Sequence, residues 1–140
     1  MQGIHLTADL HKCRCDAIWL TDADQLGERC VQAVRAVGLT PVAQLFHTFP
    51  SSGPGPAGVT ATVLLAESHL CLHTWPELAA VTLDVYVCNF GGDHSAKAHA
   101  LMNTLVALFD ARQVQRQELM RGHVPTGTPG AANRPGTGLD

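Results

Sequence analysis

The sequence predicts a two-layer α/β (α+β) sandwich, with a mainly antiparallel sheet and two helices on one face. Three observations predict it. Segments with strand patterning outnumber helical ones. Two of the strand-to-strand links are short. Each helical segment carries one apolar face, which needs a second layer to bury it.

Ile4 to Leu10 alternates apolar and polar residues and suits a half-buried strand. A Cys-rich loop follows. Thr21-Asp22-Ala23-Asp24 has the form of a helix start, a hydroxyl residue with an acid three positions on. Leu26, Cys30, Ala33, Val34 and Val37 then recur at helical spacing, and Gly38 suits the C-terminal cap. Val42 to Phe49 reads as a second strand, and Pro50 to Gly58 as a loop rich in Pro, Gly and Ser. Val59–Ala66, Leu70–Thr74 and Val81–Cys88 read as three further strands. Gly91-Gly92 ends the last of them, and Asp93 or Ser95 can cap a second helix. Its apolar face is Ala98, Leu101, Met102, Leu105, Leu108 and Phe109. Val114 to Leu119 suits a final strand. Residues 124–140 are rich in Gly, Pro and Thr and cannot bury enough apolar surface to offset ordering entropy. The expected organisation is therefore one domain over residues 1–123 and a disordered tail over 124–140.

Composition narrows the function classes. Of 140 residues, 46% are hydrophobic and 15% charged, which suits a packed core. A net charge of −3 argues against a dedicated nucleic-acid binder, which needs a surplus of Lys and Arg. No run of apolar residues is long enough for a membrane span. The first residues lack the basic-then-apolar form of a secretory signal, so the cytoplasm is the expected location. Five cysteines are an odd set for a disulfide framework.

Residues 58–77 hold most of the chemistry. Glu67, Ser68, His69, Cys71 and His73 lie within an apolar, strand-like setting, where polar groups are costly unless paired. In an extended chain, His69, Cys71 and His73 share one face. Three readings of these residues stay open. One is a metal site on that face, with Cys13 and Cys15 as further ligands, although the spacing is not that of common zinc motifs. Another is a nucleophile, Ser68 or Cys71, beside a histidine, although Ser68 lacks the Gly-x-Ser-x-Gly elbow. The third is a set of satisfied polar residues in the core.

The string Glu67-Ser68-His69-Leu70, followed by His73-Thr74-Trp75-Pro76-Glu77, resembles the prokaryotic pyruvoyl-dependent S-adenosylmethionine decarboxylases. Supporting pieces are His5-Leu6, Phe46-His47-Thr48-Phe49, Asp84 to Cys88 and Gln117 to Gly122, so the resemblance covers roughly residues 4–122. It implies a self-processing proenzyme. The Ser68 hydroxyl would attack the Glu67 carbonyl, and β-elimination and hydrolysis of the ester would follow. The products would be a β chain, residues 1–67, and an α chain, residues 68–140, that begins with a pyruvoyl group made from Ser68. That carbonyl would form a Schiff base with the substrate amine, the electron sink that pyridoxal phosphate provides elsewhere.

By the same resemblance His73 is the processing base and Thr60 the hydroxyl that assists the acyl shift, at a position where the family often has Ser. Cys88 is the acid that returns a proton to carbon. Glu77 binds ribose hydroxyls, Phe49 stacks on adenine, and Trp75 borders the pocket. Cys13, Cys15, Cys30, Cys71, His47 and His69 read as structural or incidental. No metal or free cofactor is expected. The implied reaction converts S-adenosylmethionine to its decarboxylated form and CO2, for spermidine biosynthesis. The implied assembly is a homodimer or larger homo-oligomer with sites near the interface.

Two alternatives accompany this reading. A pyruvoyl decarboxylase on the same scaffold could act on ornithine or arginine, but Phe49 and Glu77 favour a nucleoside. A non-catalytic metal-binding or small-molecule-binding domain would leave the chain uncut. One departure from the family is the segment 50–57, which is longer and richer in Pro and Gly than its pattern.

Overall fold

The computed structural model describes residues 2–127 and Pro129. In chain order the elements are β1 (Gly3–Cys13), α1 (Ile18–Thr21), α2 (Ala23–Ala36), β2 (Pro41–Thr48), β3 (Val59–Leu65), β4 (Ser68–Trp75), a 3-10 turn (Pro76–Leu78), β5 (Ala80–Cys88), α3 (Ser95–Phe109) and β6 (Ala111–Arg121). The strands form one sheet in the order β2-β3-β4-β5-β1-β6, and every neighbouring pair is antiparallel. This is the predicted α+β sandwich.

Alternation builds the core. Ile4, Leu6, Ala8 and Leu10 of β1 lie on the same sheet face as Leu70 and Leu72 of β4 and Leu83, Val85 and Val87 of β5, and all are buried. The helices cover that face with Leu26, Cys30, Ala33 and Val34 of α2 and Ala98, Leu101, Met102, Leu105 and Phe109 of α3. Packing of α3 on β1 and β5, and of α2 on β2 and β3, closes the layer. The opposite face carries Thr60, Thr62, His69, Cys71, His73, Thr82, Asp84 and Tyr86, all only half-buried. Among the described residues no helix covers it.

Several boundaries differ from the sequence expectation, each for a physical reason. β1 and β6 are longer because they pair with each other along almost their whole length, from Gly3↔Arg121 to Cys13↔Ala111. β4 reaches from Ser68 to Trp75 because it lies between two full partners. An extra turn of helix, α1, precedes the predicted one. Thr21 therefore donates backwards to the Ala17 carbonyl (2.9 Å), and Asp22 caps α2 by accepting from Asp24 and Gln25 N–H (3.1 and 3.0 Å). Gly38, at φ 86°, follows the end of α2 as a left-handed glycine, and its N–H bonds the Arg35 carbonyl. Val37 and Leu108 are less buried than the rest of their helix faces. Residues 124–127 form no helix or strand; the rest of the expected tail, Pro129 excepted, lies outside the described residues.

No helix among the described residues is long and apolar enough to cross a membrane.

Candidate active site

The residues singled out by sequence assemble at the two ends of β4. At one end, β3 and β4 are joined by a two-residue hairpin, Ala66-Glu67, closed by the pair Leu65↔Ser68. Glu67 sits at φ 55°, in the left-handed region that a residue with a Cβ adopts only at a cost. Ser68 is buried, and its Oγ accepts a hydrogen bond from the Cys88 N–H (3.1 Å). Cys88, also buried, ends β5 beside it. Glu67, Ser68 and Cys88 are thus brought together.

At the other end, Thr60 and His73 face each other across β3 and β4, with Thr60 Oγ1 at 3.1 Å from His73 Nδ1. His73 also packs against Trp75, their ring centroids 6.1 Å apart. Phe49 and Glu77 join Thr60, His73 and Trp75 around an open cavity of about 670 Å³. That size suits a small-molecule ligand. The Pro/Gly segment 50–58 forms the cavity's remaining wall, and its ends are tied by a bond from Phe49 N–H to the Gly58 carbonyl (3.1 Å). Phe49 and Trp75 line the cavity and are 49% and 37% exposed.

The two groups do not meet within one chain. His73 is five positions after Ser68, and at the ~3.3 Å rise of a strand they stand roughly 16 Å apart.

Two features of the motif were not legible in the sequence. Thr74 is a buried clamp: it accepts from Val59 N–H (2.8 Å) and donates to the Leu20 carbonyl (2.7 Å). It holds the start of β3 and the short helix α1 to the end of β4, and so fixes the wall that presents His73 and Trp75. Only its place in a strand position alternating with His73 hinted at burial. His69, read from the sequence as structural or incidental, has a structural bond. With His5 it bonds Asp84 on the open face of the sheet.

His69, Cys71 and His73 do share one face, but they are strung along it and do not converge. The Cys71 thiol lies at 3.3 Å from Thr62 Oγ1, and burial raises its pKa. Burial also pushes the Cys13 thiol up to about 11 and that of Cys30 up to about 12. Burial thus holds these thiols in the protonated form and lowers the thiolate fraction that reacts as a nucleophile.

Residues 4–122 match the profile of the S-adenosylmethionine decarboxylase family. The chain belongs to that family. An S-adenosylmethionine decarboxylase proenzyme of Acidithiobacillus ferrooxidans is 38% identical over 122 residues, covering 87% of this chain and 84% of the relative. One from Aquifex aeolicus is 35% identical, covering 87% of this chain and 82% of the relative. The crystal structure of the adenosylmethionine decarboxylase of Aquifex aeolicus superimposes with a TM-score of 0.74 at 33% identity, over 89% of this chain and 93% of that one. The six-stranded antiparallel sheet with helices on one face is thus the architecture of an S-adenosylmethionine decarboxylase.

Proposed function

We propose that this S-adenosylmethionine decarboxylase family member is a self-processing proenzyme that cuts its own Glu67–Ser68 bond and then decarboxylates S-adenosylmethionine. The observation that carries the reading is the hairpin. The bond to be cut follows a strained residue, and the hydroxyl that attacks it is held by the Cys88 amide. The Ser68 hydroxyl adds to the Glu67 carbonyl, the peptide C–N bond breaks, and the amine of Ser68 is freed as an ester forms. Elimination then needs a base at the Ser68 Cα proton, the role assigned to His73, with Thr60 assisting the acyl shift.

Ser68 and Cys88 fit a pyruvoyl site, because a buried serine at a chain bend, bound to the Cys88 amide, leaves its N-terminal carbonyl at the end of the strand that carries Cys88. Once formed, that group supplies an electron sink for the carboxylate being lost. Cys88 delivers a proton to the substrate carbon. Glu77 accepts from the ribose hydroxyls, and Phe49 and Trp75 take the adenine ring. These three residues favour a nucleoside over ornithine or arginine, which have no ring for Phe49 to stack on.

The ~16 Å along β4 between Ser68 and His73 supports a homodimer in which each copy completes the other's site. The hairpin end of one sheet would meet the Thr60–His73 end of its partner. A two-fold axis does this twice, once for each site.

The test is the intact mass of the purified protein under reducing, denaturing conditions. Two fragments meeting at residues 67 and 68 are expected, the second about 17 Da lighter than a serine N-terminus gives. Assays of CO2 release should then show turnover with S-adenosylmethionine and none with ornithine or arginine. One uncut chain after long incubation at neutral pH would overturn the reading.

A further inference from the structure

We propose that His47 is a positioning residue for the substrate: its ring stands edge-on to Phe49 and fixes the plane that Phe49 offers to adenine. This role rests on the reading above that Phe49 takes the adenine ring, and it falls to a histidine that has no part in the machinery proposed there. The two ring centroids lie 5.0 Å apart, with an interplanar angle of 88°. Aromatic pairs favour this edge-to-face arrangement, in which the positive rim of one ring meets the negative face of the other. His47 makes no side-chain hydrogen bond or ion pair among the described residues, so the ring contact is its distinguishing one.

The extended backbone brings the rings together. Residues two apart in such a chain project from one side, so His47 and Phe49 share one face of the sheet. Phe49 stands just beyond β2, and its N–H bond to the Gly58 carbonyl (3.1 Å) carries the pairing with β3 that far. His47 lies inside the ladder, opposite Thr60 and flanked by the pairs Phe46↔Ala61 and Thr48↔Val59. The contact is made within one chain, so it stands whichever copy supplies the rest of the site.

The two residues differ in how firmly they are held. Phe49 leads into a Pro/Gly segment, and residues 49–58 form no helix or strand. Among the described residues no other ring packs on Phe49, and half of its surface is exposed within its own chain. A side chain so placed has several rotamers open to it, and losing that freedom on binding costs affinity. His47 removes part of the freedom before the ligand arrives. His73 and Trp75 repeat the two-residue spacing on β4, but their rings are only tilted, at 38° and 6.1 Å, and His73 is engaged by Thr60. Of the two aromatic walls, Phe49 is therefore the one supported edge-on.

The experiment compares KM and kcat for S-adenosylmethionine in wild type, His47→Ala, His47→Phe, Phe49→Ala and the double variant His47→Ala/Phe49→Ala, each shown by intact mass to be fully cut. His47→Ala should raise KM about two- to tenfold, the size of an edge-to-face ring pair, and leave kcat within about twofold. His47→Phe keeps a ring but has no proton to give, so its KM should return to within about twofold of wild type. In the double variant the loss of His47 should add nothing to the loss of Phe49, because the histidine acts only through that ring. If His47→Ala stays uncut, the affinities of the same variants for methylthioadenosine, read by tryptophan fluorescence in the uncut Ser68→Ala background, make the same comparison. A raised KM in Phe49→Ala beside an unchanged KM in His47→Ala would overturn the role of His47 alone. So would additive effects of the two alanine substitutions, or a KM that stays high in His47→Phe. An unchanged KM in Phe49→Ala would overturn the reading of Phe49 itself, and the role of His47 with it.

Discussion

Glu67 holds a backbone conformation that costs on the order of 1–3 kcal/mol for a side-chain-bearing residue outside glycine and asparagine. In the proposed self-processing, cutting the bond that follows it releases that cost. Glu67→Gly removes the strain before the cut, so about 1 kcal/mol of it expressed in the barrier would slow self-cleavage roughly five-fold. The fraction of uncut chain over time, read by denaturing electrophoresis, measures this; unchanged or faster cleavage would mean that the strain plays no part. Thiols give a second prediction at this scale. Burial raises Cys30 to about 12 and Cys13 to about 11 from an ordinary 9.0. Above pH 9 the unfolded chain loses these protons first, so it binds fewer than the native state and stability falls as pH rises. The loss should run from about pH 9 to about pH 12, seen as a falling urea midpoint in uncut Ser68→Ala protein. The motif string was legible at this scale because its residue types carry chemistry. The bend at Glu67 was not, since a left-handed glutamate leaves no mark in composition or periodicity.

Strands and helices were legible where alternation or helical spacing was strong, as in β1, β5 and the buried faces of α2 and α3. Their ends were not, because partners far along the chain decide them. β6 extends to Arg121 only because β1 is there to pair with it. The start of α2 passed from Thr21 to Asp22 because one extra helical turn engaged the threonine hydroxyl elsewhere. Thr74 shows the same limit and yields a test. Thr74→Val keeps the shape but strands the Val59 N–H and the Leu20 carbonyl, a loss of about 2–4 kcal/mol. Thr74→Ser keeps both bonds and should cost under about 1 kcal/mol. Urea denaturation of the two variants in the Ser68→Ala background separates these outcomes. Gly58 needs its missing side chain: a Cβ there would collide with the Thr74 carbonyl oxygen. Gly58→Ala should cost at least about 2 kcal/mol and disturb the cavity wall.

At the scale of the whole molecule, the fold class followed from the rhythm of the elements, whereas the division of the site between the two ends of β4 did not. Sequence order puts Ser68 and His73 five residues apart and makes them look like neighbours; only an extended β4 shows how far apart they are. A mixing experiment tests whether two copies complete each other. His73→Ala alone should stay uncut. Co-expressed with Ser68→Ala, which keeps its own His73, the His73→Ala chains should be cut. Persistence of uncut His73→Ala chains in the mixed dimers would return the base to the same chain as its serine.

The strand order has an outcome for a protein cut at Glu67–Ser68 as proposed. Residues 1–67 contribute β1, β2 and β3, residues 68–140 contribute β4, β5 and β6, and in the sheet these sets are interleaved as β2-β3-β4-β5-β1-β6. The two pieces are dovetailed: β1 of the first is gripped on both sides by β5 and β6 of the second. Three rows of backbone hydrogen bonds, β3–β4, β5–β1 and β1–β6, would have to part before the pieces could separate. Losing one covalent bond therefore leaves the native body intact but changes the order of its unfolding reaction. As a homodimer the precursor melts into two chains and the cut form into four, so the melting temperature of the cut form should rise more steeply with protein concentration.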